Sequence, residues 1–205
     1  MPIDKWQYVL EVVKKNPGEI AEVLLSMGTT FKYRVVKRCI GRKSIVRNRT
    51  RIVNTANVRI GEDCILQDHV YIRAGMQGRV IFGNGCMINS FCRFFGHGGI
   101  EVGDGCQFGP GVTITTTEHD YRSWNLSELF RNVTIGKRVW VGANVTILPG
   151  AEIGDFAVIG AGSVVSRKIP PRSLALGIPA RVVMRFDEGS EMPQHGEMED
   201  QSWGS

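Results

Sequence analysis

Four histidines, His69, His97, His119 and His195, are this chain's candidates for acid–base work. Imidazole titrates nearest to neutrality, so a positioned histidine is the usual group for taking a proton from a weak nucleophile. His119 stands near the start of "TTTEHDYRSWNLSELFRNV", residues 115–133, and His97 lies among glycines in "FFGHGGI". His69, in "LQDHVY", and His195, near the C-terminus, read as structural. Charge supplies the second clue. Lys32 to Arg51 holds nine basic residues and no acid. Residues 187–205 hold six acids and no Lys or Arg; with a chain total of +5, residues 1–186 carry +11. A body that basic favours anionic partners: a phosphorylated cofactor, an acidic glycan or an anionic lipid surface. No nucleic-acid-binding motif accompanies the charge, so nucleic acid is not expected. The five cysteines form no C-x-x-C pair, which argues against a disulfide framework or a zinc ribbon and for small buried hydrophobes in a reducing compartment.

These groups need a scaffold, and the scaffold is written as a repeat. Large apolar residues recur in steps of six: Ile40, Val46, Ile52; Ile60, Leu66, Ile72; Phe82, Ile88, Phe94; Val102, Phe108, Ile114; then Ile135, Val141, Ile147, Ile153, Ile159, Val165. A helix repeats near 3.6 and a simple strand near 2, so a step of six points to short strands joined by tight corners. Glycine follows the apolar anchor at nine of these eighteen places, including Gly41, Gly103 and Gly142, and is expected there to supply positive φ at the corner. Small residues four places after the anchor, such as Cys64, Cys86, Cys106, Val139 and Ala157, would fill a narrow interior. The fold class expected is all-β, a parallel β-solenoid.

Residues 1–30 read as a helical cap, with Trp6, Val9, Leu10 and Val13 on one face and Ile20, Val23, Leu24 and Met27 on another, the second helix opening at Asn16–Pro17. The solenoid unit is 31–186, with 115–133 as a projecting loop, and 187–205 is an acidic tail without periodicity. The N-terminus carries charge through its apolar stretch, so neither a secretory signal nor a membrane span is expected. The expected location is cytoplasmic, with the basic 32–51 segment available for peripheral contact with the inner membrane surface.

The hexads, together with "VTIGKRVWVGANVTILPGAEIGDFAVIGAGSVV" and "KIPPRSLALGIPARVV", resemble the hexapeptide-repeat acyltransferases over residues 40–186. The nearest subgroup is the sugar O-acetyltransferases, both the galactoside and maltose enzymes and those of capsule and lipopolysaccharide loci. The resemblance implies a left-handed parallel β-helix of triangular section, a homotrimer with active sites between subunits, acetyl-CoA as co-substrate and no metal. It makes His119 the catalytic base and places Asn89, His97 and Trp140 near the acceptor. It places Gly142, Ala143 and Ala161 along the pantetheine, and Ser166, Arg167 and Arg181 near the nucleotide of CoA. A further family arginine falls on Met184 here, with Arg185 next to it. At His97 the family pattern has an acid instead. Asn89 has a second reading, as a rung of an asparagine ladder at a coil corner, and Trp140 a second reading as packing.

The chemistry implied is direct transfer. A sugar hydroxyl is a poor nucleophile at neutral pH, and a neutral imidazole can take its proton as the oxygen attacks the thioester. Backbone N–H groups can hold the oxyanion, and arginines suit phosphates. The expected function is therefore an acetyl-CoA-dependent acetyltransferase acting on a saccharide hydroxyl in polysaccharide or lipopolysaccharide biosynthesis, with an acidic or lipid-linked acceptor in view. The alternatives are an N-acetyltransferase of a nucleotide-linked amino sugar, a zinc carbonic anhydrase on the same helix, and a non-catalytic scaffold. The zinc reading is weakened because Arg73 stands where one histidine ligand would be needed.

Overall fold

The computed structural model describes residues 20–120 and 127–187, with side chains from residue 24 onward. The helical expectation for Trp6–Val13 and the acidic tail from residue 188 lie outside the described residues.

The hexads fold as three strands per coil. The first residue of each set lies on one face, A (strands Val58–Ile60, Val80–Phe82, Ile100–Val102, Val133–Ile135, Glu152–Ile153). The second lies on face B (Ile45–Val46, Ile65–Leu66, Met87–Ile88, Gln107–Phe108, Trp140–Val141, Val158–Ile159). The third lies on face C (Arg51–Val53, Tyr71–Ala74, Arg93–Gly96, Thr113–Thr115, Thr146–Ile147, Val164–Val165). Coil-to-coil pairing is parallel and in register, anchor on anchor: Leu66 against Ile88, Ile88 against Phe108, Phe108 against Val141. The result is a left-handed parallel β-helix of about six turns. All eighteen anchors are buried. Phe82, Phe94 and Phe108, one from each face, meet edge to face with centroids 5.1–6.1 Å apart at the centre of the core.

The corner geometry differs from expectation in an instructive way. Positive φ falls three places after the anchor, at Lys43, Asp63, Gly85, Gly105, Arg138 and Phe156 on edge AB and at Arg49, His69, Phe91, Gly111, Asn144 and Gly162 on edge BC. The glycines beside the anchors have ordinary φ. Their role is close approach. A Cβ on Gly41 would lie 2.6 Å from the carbonyl carbon of Gly61, one on Gly103 2.7 Å from that of Gly136, and one on Gly142 2.6 Å from the nitrogen of Ala161. These glycines form columns along which successive backbones touch. The small residues four places after the anchor are buried as expected, among them Cys64, Cys86, Cys92 and Cys106. All five cysteines are free and buried, and burial pushes the Cys92 thiol up to about 11.

Between faces A and B, and between B and C, the step is always six. Every longer connection in coils 1–4 sits on the third edge, CA. That edge carries Asn54–Asn57, the excursion at 75–79, the His97 turn and the 115–133 segment. The excursion at 75–79 is tied down by the Asn54 and Asn57 side-chain amides, which donate to the Gly75 carbonyl.

The ends are closed differently. Helix α1 (Ile20–Phe31) continues as a π-helical turn, Lys32–Val36, past the expected limit at residue 30. Two members of the expected apolar stripe do not dock: Leu24 and Met27 are 61% and 52% exposed. Contact is made through Ser26, Thr30 and Tyr33. The Thr30 hydroxyl accepts from the Val46 N–H (2.9 Å), and the buried Tyr33 hydroxyl accepts from the Ile52 N–H (3.0 Å) and donates to the Thr50 carbonyl. These polar contacts serve the first coil, which has no preceding coil to bond. At the other end Ser173–Gly177 adds in parallel to Val158–Ile159, and Ala180–Arg185 folds back antiparallel on it.

Adding a Cβ at a glycine column must push two coils apart. Gly103→Ala should cost about 1–3 kcal/mol by denaturant unfolding, and Gly28→Ala, which meets nothing within 4 Å, should cost none.

Candidate functional site

The segment 115–133 leaves the end of the fourth face-C strand as a hairpin. Thr117–His119 pairs antiparallel with Glu128–Phe130, His119 opposite Glu128 and Thr117 opposite Phe130. Its root is fixed to the coil below. The buried Thr116 hydroxyl donates to the Phe95 carbonyl (2.9 Å) and accepts from the Gly98 N–H (2.8 Å), the Arg131 N–H donates to the Thr116 carbonyl, and Arg131 pairs with Glu118 at 3.2 Å. Residues directly opposite share a face, so His119, Thr117 and Phe130 lie on one side of the hairpin. Phe130 meets His97, ring centroids 6.4 Å apart. The two histidines thus belong to one neighbourhood on edge CA: His119 exposed on the hairpin, His97 half-buried at its foot.

A second group collects on edge BC. Asn89, Gly109, Gly142 and Gly160 occupy the same corner position in coils 3–6, one place after the anchor, and Ala143 and Ala161 occupy the next. The Asn89 amide donates to the Phe108 carbonyl at 3.0 Å, as a ladder rung would, and its Oδ1 has no partner among the described residues. Gly142 is required by coil stacking against Ala161. Ala143 and Ala161 present small side chains in consecutive coils, a shallow track that an extended neutral chain could follow. Trp140 is 37% exposed and faces out from B beside this edge. Arg181, on the closing hairpin opposite Leu176, continues the edge downward. Met184, where the family arginine is missing, is exposed, and Arg185 lies opposite Ser173.

The structure does not bring all the expected residues together. Ser166 and Arg167 end the sixth face-C strand on edge CA, across the face from Ala161 and Arg181. The same separation divides His97 and His119 from Asn89 and Ala143. Asn89 and His97 cap opposite ends of one face-C strand, roughly 15–20 Å apart at about 3.3 Å per residue. Within one chain the proton-handling edge and the shallow-track edge face different directions.

Sequence reasoning missed the outward surface of face C itself. Tyr71, Arg73, Arg93 and Phe95 point out between the two edges, with the Tyr71 and Phe95 rings 5.7 Å apart. Their signal was the alternation of arginine and aromatic residues flanking Ile72 and Phe94. Among the described residues no three His, Cys, Asp or Glu side chains gather as a metal site, and no helix is long and apolar enough to cross a membrane.

Thr116 is the pin between coil and hairpin. Thr116→Val should cost about 1–3 kcal/mol and speed hydrogen exchange at the Gly98 amide by about tenfold, leaving the amides of the glycine columns protected.

Comparison with known proteins places this geometry. Residues 132–167 match the family model described as bacterial transferase hexapeptide (six repeats). Galactoside O-acetyltransferase of Escherichia coli (strain K12) is 32% identical over 152 residues, 71% of this chain and 72% of that one. Galactoside O-acetyltransferase of Lactococcus lactis is 38% identical over 133 residues, 63% of each chain. Among solved structures, AntD, an N-acyltransferase from Bacillus cereus, in complex with dTDP and 3-hydroxybutyryl-CoA, superposes with a TM-score of 0.61 at 19% identity, over 72% of this chain and 82% of that one; the likeness is one of fold.

Proposed function

Because the chain belongs to the hexapeptide-repeat acetyltransferases that include the galactoside O-acetyltransferases, we propose that it transfers the acetyl group of acetyl-CoA to a saccharide hydroxyl, with His119 as the base. The observation that carries this reading is the hairpin: a rigid solenoid edge presents one exposed imidazole, its root bonded to the adjacent coil through Thr116, beside a second imidazole at His97.

The neutral His119 imidazole takes the hydroxyl proton as the sugar oxygen attacks the thioester carbonyl carbon. The C–S bond then breaks, CoA leaves as thiolate, and the imidazolium returns the proton to sulfur. No acyl-enzyme forms. The pantetheine lies along the Ala143–Ala161 track, with Gly142 behind it and Trp140 at its side, and Ser166, Arg167 and Arg181 serve the nucleotide end. Asn89 Oδ1 accepts from an acceptor hydroxyl, and His97 binds the acceptor.

The placement of these groups supports a homotrimer. Edge CA and edge BC of one chain are separated by the width of face C, so the base of one copy meets the track of the next across a cleft. A ring of three closes this contact with a single heterologous interface. The pathway is biosynthesis of a cell-surface polysaccharide or lipopolysaccharide, at the cytoplasmic face.

His119→Ala should lower turnover by ~10²–10⁴-fold with acetyl-CoA affinity and mass unchanged, measured by thiol release over a panel of sugars and amino sugars. Near-normal turnover would remove His119 from the mechanism, and product acetylated only on amines would replace the O-acetyl reading. Sedimentation should give about three times 22.7 kDa.

A further inference from the structure

Face C changes character along the axis. In coils 1–3 its two outward rows read Arg51–Tyr71–Arg93 and Val53–Arg73–Phe95, held in register by parallel pairing. In coils 4–6 the first row continues as Thr113–Thr146–Val164, and the second begins with Thr115. One end is therefore cationic and aromatic, the other neutral and small. Arg51, Arg73 and Arg93 are exposed, and none has an ion-pair partner among the described residues. The wall continues around edge BC, where His69 stacks on Phe91 with centroids 4.9 Å apart and Arg49 lies 3.5 Å from His69 Nε2. Phe91 is 54% exposed and sits at a positive-φ corner. The same corner carries Arg49 and His69 in the two coils before it, and the His69–Phe91 stack leaves more than half of the Phe91 side chain open to a ligand.

The position of the wall is as telling as its composition. On coil 3 it is bounded by Asn89 at one edge and His97 at the other, and the His119 hairpin leaves from coil 4 next to it. It covers the acceptor side of the transfer point, whereas the neutral coils run toward the pantetheine side. Coils about 4.8 Å apart and outward residues about 6.6 Å apart make the two rows a patch of roughly 10 by 7 Å, and roughly 10 by 13 Å with the His69–Phe91 row, the footprint of about two pyranose rings.

We infer that face C of coils 1–3 binds the acceptor as a carboxylate-bearing saccharide, with Arg73 and Arg93 on its carboxylates and Tyr71 and Phe95 against its ring faces. This rests on the acyltransferase reading above and adds the substrate class. The guanidinium groups alternate with rings and are spread one per coil. That matches one carboxylate per sugar unit; a phosphate would call for several donors converging on a point. Planar guanidinium groups take carboxylates bidentately, and aromatic faces take the apolar faces of sugars.

The test is calorimetry on the full chain with oligosaccharides of sialic, glucuronic and galacturonic acid, each beside its carboxyl-reduced counterpart, with UDP as a phosphate competitor and acetyl-CoA as a separate ligand. At least one acidic series should bind about tenfold or more tightly than its reduced form. The double change Arg73→Gln with Arg93→Gln should weaken it about tenfold or more, and Tyr71→Ala about five- to tenfold at unchanged charge. Arg42→Gln, on edge AB and paired with Glu62 at 3.0 Å, should have no effect. Acetyl-CoA affinity should be the same in all of these. If no acid outbinds its reduced form while acetyl-CoA still binds, the acceptor class is wrong and the acyltransferase reading stands. If acetyl-CoA itself fails to bind, both fall. Displacement by UDP would make the wall a phosphate site, indifference to Tyr71→Ala would make it unspecific charge, and a changed mass of the double variant would make it a subunit contact. Each of these overturns the inference.

Discussion

Successive coils of this protein sit one strand spacing apart, and at two corners their backbones come closer than a methyl group permits. The columns through Gly41, Gly61, Gly83, Gly103 and Gly136 and through Gly109 and Gly142 mark where that contact is made. Everything else follows from keeping those columns aligned. The anchors stay in register, the three faces stay flat, and two of the three edges admit no insertion. Variation is confined to edge CA. The residues able to do chemistry are therefore found either as insertions on that edge, His97 and His119, or as outward side chains on the faces beside it.

The same constraint keeps His97 and His119 on edge CA apart from Asn89 and Ala143 on edge BC. A flat-sided prism cannot fold its CA edge onto its BC edge, so in the proposed mechanism His119 and the Ala143–Ala161 track come from two copies laid side by side. The polar contacts of Thr30 and Tyr33 serve an analogous need at the open end: the first coil has no neighbour to bond, and the helical segment supplies the partners its backbone lacks. Among the described residues the helical segment meets the first coil through hydrogen bonds, and Leu24 and Met27 are exposed.

The fold was legible in the sequence because a β-solenoid writes its packing in local order: each anchor's strand is made by the residues around it, counting in sixes orders Ile40 through Val165, and the family resemblance supplies the three faces on which they fall. The reason for the glycines was not legible. Positive φ and close approach both select glycine, and only the neighbouring coil distinguishes them; at Lys43, Arg49 and Phe91 the strained corner carries no glycine at all. The contacts of the described helix were not legible, because an apolar stripe through Leu24 and Met27 gives no hint that a tyrosine hydroxyl will meet the first coil. His119 was singled out by its motif and its position at the start of an interruption, and the structure places it exposed on the hairpin. The face-C wall was missed because its members are one or two per coil, and edge-CA insertions make coils 1 to 3 unequal in length, so Arg51, Tyr71 and Arg93 have no constant period until those insertions are placed.

The central claim is that His119 of one copy works on the pantetheine track of another, and hybrid assembly tests it most directly. His119→Ala chains lack the base, and Ala143→Trp chains lack the track. Each alone should be inactive. Unfolded together in equal amounts and refolded, they should recover about a quarter of the native activity, because half the bases and half the tracks are intact and a shared cleft draws them independently. Mixed assemblies that form and remain inactive would contradict the account, since base and track would then belong to the same chain.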